Sequence, residues 1–140
     1  MKIGKLSLLM LLGIVLFTSC NSNDDDGSTE SESIIGIWNV KNISGGIAGI
    51  EDEYETGIIT WEFDIQTLTV VNNDTQGNIY SGFESGTYNY SATEINGINY
   101  IIIDNAEYGG YTLSNNNLNI NQNETTSGSG ADGFILQLEK

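Results

Sequence analysis

The segment 58–64, with the sequence IITWEFD, decides the fold of this chain. From Ile59 onward its apolar and polar residues alternate, with Ile59, Trp61 and Phe63 at one parity and Thr60, Glu62 and Asp64 at the other. Successive side chains of an extended strand point to opposite faces. The segment is therefore predicted to be a β-strand with one face in a hydrophobic core.

Short segments of this kind recur from Ile34 to Lys140. Short apolar runs are separated by Gly, Asn, Asp and Ser, proline is absent, and no stretch has sustained helical spacing. Two turn signals lie between neighbouring runs. Asn96-Gly97 favours a hairpin with positive φ angles, and a second hairpin is expected to turn at Asn115-Asn116. The pattern predicts eight or nine strands at 34–43, 58–64, 67–71, 79–83, 86–90, 98–104, 108–114, 117–121 and 134–138.

These strands predict an all-β fold, an antiparallel up-and-down barrel of about eight strands. Closing the sheet removes its exposed edges. An eight-stranded barrel is either filled by its own side chains or holds one small ligand. A β-sandwich is the alternative, because the alternation of side chains is the same in both architectures.

The N-terminus has the pattern of a lipoprotein signal. Lys2 and Lys5 precede an apolar segment at 6–17, which is shorter than the about 20 residues that a membrane-spanning helix needs. Ser19 and Cys20 follow it and resemble the lipobox of bacterial lipoproteins. The resemblance implies cleavage between Ser19 and Cys20, a diacylglyceryl group on the Cys20 sulfur and anchoring to the outer membrane.

The residues after Cys20 predict a disordered tether, because 21–33 contains no apolar side chain. Asp24, Asp25 and Asp26 resemble the acidic export signal of some Gram-negative surface lipoproteins, which implies that the protein faces the cell exterior. The spacing of this stretch does not fit an EF-hand. The predicted organisation is a signal helix at 1–19, a lipidated tether at 20–33 and a barrel at 34–140.

The charge balance limits the class of partner. The chain contains 4 Lys, no Arg or His and 19 acidic residues. All the acids follow Cys20, so a chain beginning there has two lysines and a formal side-chain charge of −17. Such a surface repels polyanions, so we expect no nucleic-acid binding and any charged partner to be a cation or a basic protein.

The run Gly36-Ile37-Trp38 resembles the start of small lipocalin-like (calycin-type) domains of bacterial lipoproteins. In lipocalins this tryptophan plugs the closed end of the barrel beneath an arginine. This chain has no arginine, so the resemblance implies that Lys140 takes that place or that the contact is missing. It also implies that the connection 44–57 is a long loop over the barrel mouth.

The chain lacks the side chains on which most catalytic sites depend. Without histidine, and with Cys20 assigned to lipidation, neither a Ser-His-Asp or Cys-His arrangement nor a His- or Cys-ligated zinc site can form. We therefore expect no enzyme activity, no metal and no cofactor beyond the lipid on Cys20. Calcium binding by Glu51, Asp52, Glu53 and Glu55 is a weaker alternative.

The sequence predicts a surface lipoprotein whose barrel binds a small apolar ligand or a partner protein without catalysis. The residues predicted to bind that ligand are Trp61, Phe63, Tyr88, Tyr90 and Tyr100. One alternative is a carbohydrate-binding β-sandwich with an exposed aromatic face drawn from Trp61, Tyr80, Tyr88, Tyr90, Tyr108 and Tyr111. A further alternative is a calcium-dependent adhesion module.

Overall fold

The computed structural model describes residues 33–140, so the predicted signal helix and nearly all of the predicted tether lie outside the described residues. The described part is all β and contains no helix. Its strands are β1 (Gly36–Gly45), β2 (Ile50–Glu53), β3 (Ile59–Phe63), β4 (Thr67–Asn72), β5 (Gly86–Ile95), β6 (Ile98–Ile103), β7 (Ala106–Ser114), β8 (Asn117–Asn121), β9 (Glu124–Thr125), β10 (Gly128–Ser129) and β11 (Phe134–Glu139).

The strands form a closed antiparallel barrel. The order β11-β8-β7-β6-β5-β4-β3-β1 follows the chain as an up-and-down meander, and the last strand, β11, pairs with the first, β1. Eight strands thus surround one core, an arrangement consistent with a lipocalin-like barrel. The predicted barrel is confirmed and the β-sandwich alternative is wrong, because a sandwich has no such closing pair.

Strand β1 contributes to the core on both sides of a β-bulge. Trp38 and Val40 point inward and are buried. The register with β11 then shifts between Val40 and Asn42, and Ile43 becomes the next buried residue. An extra residue in one strand reverses the alternation that follows it. Without the bulge, Asn42 would face the core in place of Ile43.

The prediction of a long loop at 44–57 is wrong. The chain turns tightly after β1, where Gly45, Gly46 and Gly49 all have positive φ, and returns as β2 beside β1. The Tyr54 N–H then donates to the Lys41 carbonyl at 2.9 Å, and β3 continues along the same side of β1. Glycine tolerates this backbone without steric cost, so the segment forms a hairpin in place of a loop.

The long connection of this barrel is instead 73–85, between β4 and β5, which we call the mouth loop. The predicted strand at 79–83 lies in it and does not form. Exposed Ile79 and the turns around Gly77 and Gly82, both with positive φ, interrupt any pairing there. The mouth loop covers the end of the barrel at which β4 ends and β5 begins, which we call the covered end.

The remaining hairpin predictions are confirmed. Asn96 and Gly97 have φ angles of 55° and 82° in the turn between β5 and β6. Asn115 and Asn116 have φ angles of 48° and 67° in the turn between β7 and β8. Positive φ at both central residues matches the right-handed twist of paired strands.

The described residues 33–140 contain no helix long and apolar enough to cross a membrane.

Candidate functional site

The covered end of the barrel is organised by Asn72, the last residue of β4. Its side-chain Nδ2 donates to the carbonyls of Ser81 and Phe83 at 3.1 and 3.0 Å, and its Oδ1 accepts from the Asp74 N–H at 3.0 Å. The Asn72 backbone exchanges two further hydrogen bonds with the Ser85 hydroxyl. One side chain thus ties both ends of the mouth loop to the sheet.

The mouth loop inserts aromatic rings into the barrel. The Phe83 ring lies 5.7 Å from Trp61, 5.1 Å from Tyr108 and 4.7 Å from Tyr88, measured between ring centroids. Tyr80 stacks on Phe134 at 4.0 Å with an interplanar angle of 7°. Tilted and offset aromatic pairs add to the free energy of apolar burial. The loop is therefore a packed part of the core.

Two tyrosine hydroxyl groups of this cluster are hydrogen-bonded within the cluster. The hydroxyls of Tyr80 and Tyr108 are hydrogen-bonded at 2.8 Å, and Gln122 Nε2 donates to the Tyr80 oxygen at 3.0 Å. Burial, and next the neighbouring Tyr80, raises the pKa of Tyr108 well above its usual value. Tyr108 therefore stays neutral and acts as a hydrogen-bonding group.

Trp61 has the one buried side-chain polar atom without a hydrogen-bond partner in residues 33–140. It is fully buried, between Phe63 at 6.0 Å, Phe83 and Tyr108, and its indole Nε1 has no acceptor. An unsatisfied buried donor costs about 1–3 kcal/mol. An acceptor placed beside this N–H would recover that free energy.

The structure brings together four of the five residues predicted to bind a ligand. Trp61, Phe63, Tyr88 and Tyr90 all face the interior, with Phe63 against Tyr90 at 4.9 Å and Tyr88 joined to the cluster through Phe83. Tyr100 does not join them. It is buried, but it lies outside the core cluster and pairs in register with Gly110 and Thr93. The structure therefore does not bring Tyr100 together with the other four predicted residues.

The opposite end of the barrel carries the Gly36-Ile37-Trp38 motif. Trp38 Nε1 donates to the Ile34 carbonyl at 2.6 Å, and Lys140 Nζ lies 4.5 Å from the centroid of the Trp38 ring. Lys140 also donates to the Ile35 carbonyl at 3.1 Å. Gly36 has φ 128°, and a Cβ there would lie 3.2 Å from Lys140 Cε, so glycine leaves room for the lysine.

The aromatic cluster also contains residues that the sequence did not assign to the site for a small apolar ligand. Phe83 and Tyr80 come from the mouth loop, Gln122 and Phe134 from the ends of the β8–β11 connection. Tyr80 meets Tyr108 across 28 positions and Gln122 across 42 positions of the chain. No local pattern encodes such contacts; the available signal was two aromatic residues in the stretch 79–83, which the sequence predicted to be a strand.

The exposed aromatic face that the carbohydrate hypothesis requires does not form. Trp61, Tyr90 and Tyr111 are buried at 0%, 7% and 9% exposure, and the Tyr80 and Tyr108 hydroxyls bond to each other. The sugar-binding alternative is therefore wrong in the form that the sequence suggested.

The acidic run at 51–55 is not gathered around one point. Glu51, Glu53 and Glu55 are exposed, whereas Asp52 pairs in register with Ile43. Among residues 33–140, no group of three His, Cys, Asp or Glu side chains could hold a metal ion. Ser19, Cys20, Asp24, Asp25 and Asp26 lie outside the described residues.

Comparison of the chain with models of protein families, with curated proteins and with solved structures finds no match in any of the three.

Proposed function

We propose that the protein is a lipid-anchored outer-membrane lipoprotein that faces the cell exterior and binds a partner protein through the outside of a lipocalin-like barrel, without catalysis. The observation that carries the choice of a protein partner is the filled interior. Trp61, Phe63, Leu68 and Ile120 are at most 1% exposed, and Phe83 of the mouth loop packs against Trp61. Binding at the outer surface requires no rearrangement of this core.

The charge of the surface supports a basic partner. Residues 33–140 contain two lysines, Lys41 and Lys140, against fourteen acidic side chains. The potential of such a surface attracts cationic groups and raises the association rate of a basic protein.

The location is tested with Cys20→Ala. If Cys20 carries the lipid, the variant leaves the membrane fraction, because each buried methylene contributes about 0.8 kcal/mol to anchoring. Protease added to intact cells digests the wild-type barrel if it faces outward. A Cys20→Ala variant that stays with the membrane, or a wild-type barrel that resists protease until cells are lysed, contradicts the proposal.

Partner binding is tested by photo-cross-linking in intact cells. A photoreactive amino acid is placed at exposed Ile79 in the mouth loop, at exposed Thr93 in β5 and, as the control, at fully buried Ile59. We expect a covalent adduct with a second polypeptide at an exposed position and none at Ile59. Absence of an adduct at both exposed positions contradicts a protein partner.

The second candidate function is binding of a small apolar molecule beneath the mouth loop. The unpartnered Trp61 Nε1 favours it, because a ligand carbonyl could accept this hydrogen bond once Phe83 moves aside. The experiment is fluorescence of the Trp38→Phe variant, which leaves Trp61 as the reporter, with a panel of fatty acids and small aromatic ketones. A saturable change supports this function, and a flat response to the whole panel contradicts it.

A further inference from the structure

Strand β5 extends beyond its neighbour β4. It pairs with β4 over Gly86–Asn89, and the Tyr90 N–H makes one more bond to the Gln66 carbonyl at 2.9 Å. The following residues, 91–95, pair with β6 alone. One side of this stretch is therefore an open strand edge within the described residues, which we call the β5 edge.

The backbone groups that face the β5 edge follow from the register. Asp104 N donates to the Asn89 carbonyl and Tyr90 N to the Gln66 carbonyl, so odd positions face β6 and even positions face away from it. In an antiparallel strand this alternation continues from residue to residue. The N–H and C=O groups of Ala92 and Glu94 therefore point to the open side, where an added strand would bond to them.

The side chains of the β5 edge leave it accessible. All residues from Ser91 to Ile95 are exposed, and natural edges are usually protected by lysine, proline, a bulge or a covering segment. Glu94 is the one charge in this stretch, and three of its neighbours are the small residues Ser91, Ala92 and Thr93. A peptide backbone can thus approach closely.

A groove of about 400 Å³ lies where the missing neighbour of β5 would run. It is bordered by Ile65 and Gln66 in the turn after β3, and by Ser91, Ala92 and Ile102 on the hairpin. Ile65 is 79% exposed, and its side chain provides an apolar wall of the groove. Such a groove accommodates an apolar side chain of an added strand, which fixes its register.

The charges around the groove decide which strand fits. Asp64 precedes Ile65, Asp104 accepts a hydrogen bond from the Asn89 N–H at 2.9 Å, and Glu94 lies on the edge itself. Neither lysine of residues 33–140 lines the groove. Pairing of two copies through this edge would bring these carboxylates together, which costs free energy in an already acidic protein.

From this geometry we infer that the β5 edge binds an extended peptide segment with alternating apolar and basic side chains, which adds to the barrel as a strand beside β5. The inference rests on the proposed function, because it names the site and the chemistry of the partner protein. Backbone hydrogen bonds to Ala92 and Glu94 hold the segment, Ile65 and Ile102 receive an apolar side chain, and the surrounding carboxylates attract the basic ones.

The experiment uses the full chain in non-ionic detergent and a ten-residue peptide of alternating valine and lysine, at physiological ionic strength. Binding is measured by calorimetry and located by amide NMR shifts. We expect the largest shifts at Ala92 and Glu94. Ala92→Pro removes the N–H that faces the edge and is expected to weaken binding about tenfold, whereas Ala92→Ser, the matched control, keeps the N–H and the affinity.

Two further peptides separate strand addition from simple charge attraction. Alternating valine and glutamate should not bind, and alternating glycine and lysine, with the same charge but little tendency to form a strand, should bind at least about tenfold more weakly. Equal binding of the glycine-lysine peptide, equal affinities of Ala92→Pro and Ala92→Ser, or dimerisation of the chain through β5 overturns the inference.

The cross-linking experiment distinguishes failure of this inference from failure of the proposed function. An adduct at Ile79 without one at Thr93 supports the proposed protein partner but contradicts its binding at the β5 edge. An adduct at Thr93 that disappears in the Ala92→Pro background supports both.

Discussion

At the scale of single residues, the two tryptophans lie opposite each other on the paired strands β1 and β3 and differ in how their indole N–H groups are satisfied. Trp38 donates to Ile34 and lies beneath Lys140, whereas Trp61 is enclosed by rings and has no acceptor. Both are almost completely buried. The same residue type therefore has a satisfied N–H in β1 and an unused donor in the neighbouring strand β3.

Replacing Lys140 by methionine tests the contact over Trp38. Lys140→Met keeps an apolar stem but removes the ammonium group from the Trp38 ring and from the Ile35 carbonyl. We expect the free energy of unfolding in urea to fall by about 1 kcal/mol. Lys41→Met is the matched control, because Lys41 makes one exposed hydrogen bond to Thr56 and should change stability by less than about 0.5 kcal/mol. Equal effects of the two substitutions would contradict a role for the ring contact.

The raised pKa of Tyr108 predicts a loss of stability in alkali. Burial raises this pKa in the folded protein, so the unfolded state ionises first as the pH rises above about 10. Stability from Tyr108 is thus complete below that pH and decreases above it, by up to about 1.4 kcal/mol per pH unit until the folded state also ionises.

The measurement compares thermal unfolding of wild type and Tyr108→Phe between neutral pH and pH 11. The variant loses the bond to Tyr80 at every pH, but its stability should fall less steeply in alkali. Groups shared by both proteins, including the lysines, cancel in the difference. Identical alkaline slopes would show that Tyr108 ionises normally.

At the scale of elements, the mouth loop and β5 depart most from a minimal barrel. The mouth loop is an irregular connection that supplies core rings, and β5 is a strand that outgrows the sheet beside it. One closes the interior against a ligand, and the other leaves backbone groups open to a partner. Both features support the proposed binding of a partner protein outside the barrel.

Asn72 is predicted to hold the mouth loop in place. Asn72→Ala removes the bonds to Ser81, Phe83 and Asp74 and leaves their buried or partly buried groups unsatisfied. We expect a loss of about 1–3 kcal/mol in unfolding free energy and faster hydrogen exchange across 79–83.

Asn73→Ala is the matched control for Asn72→Ala. Asn73 is exposed, and its backbone N–H bonds to the Ile58 carbonyl, which alanine preserves. The control should exchange like wild type. If both variants, or neither, accelerate exchange in 79–83, Asn72 does not organise the loop.

At the scale of the whole molecule, barrel closure and negative charge have opposite effects on the stability of the fold. Pairing of β1 with β11 joins the two ends of the described chain and surrounds a continuous core. The acidic side chains on the outside repel one another, and this repulsion is relieved when the chain expands. Burial of the apolar interior therefore stabilises the folded barrel, and repulsion among the surface carboxylates destabilises it.

Added salt is predicted to stabilise this protein. Raising NaCl from about 0.01 M to about 0.5 M shortens the Debye length from about 30 Å to below about 8 Å and screens the repulsion among the carboxylates. The urea midpoint should move to higher concentration. A double substitution of exposed acids, Glu51→Gln with Glu94→Gln, should reduce the salt effect. A midpoint independent of salt would contradict the argument.

Much of the barrel could be predicted from the sequence, because period-two alternation and turn residues act over a few positions. Ile59, Trp61 and Phe63 are buried as the alternation predicts, and Asn96-Gly97 turns as expected. The errors fall where an irregular residue changes the pattern. The glycines after β1 convert a predicted loop into a hairpin, and the irregular mouth loop replaces the strand predicted at 79–83.

The candidate site was predictable only in part. Trp61, Phe63, Tyr88 and Tyr90 share an inward parity that the sequence already displays. Tyr100 is an aromatic residue of the type that often contacts ligands, but the register of β6 against β7 places it outside the core cluster. The polar stretch Ser91–Ile95 has no apolar alternation, so nothing local indicated that β5 continues past β4.

The sequence by itself determined most strand positions, most turns and the acidic surface, because these depend on residues within a few positions of one another or on composition. The tertiary structure decided that β1 meets β11, with Asn39 bonding to Glu139 across 100 positions, that the mouth loop fills the barrel, and that β5 keeps an open edge. These outcomes depend on strand register and on the lengths of neighbouring strands. Both are set by how distant side chains pack together, which no short stretch of sequence encodes.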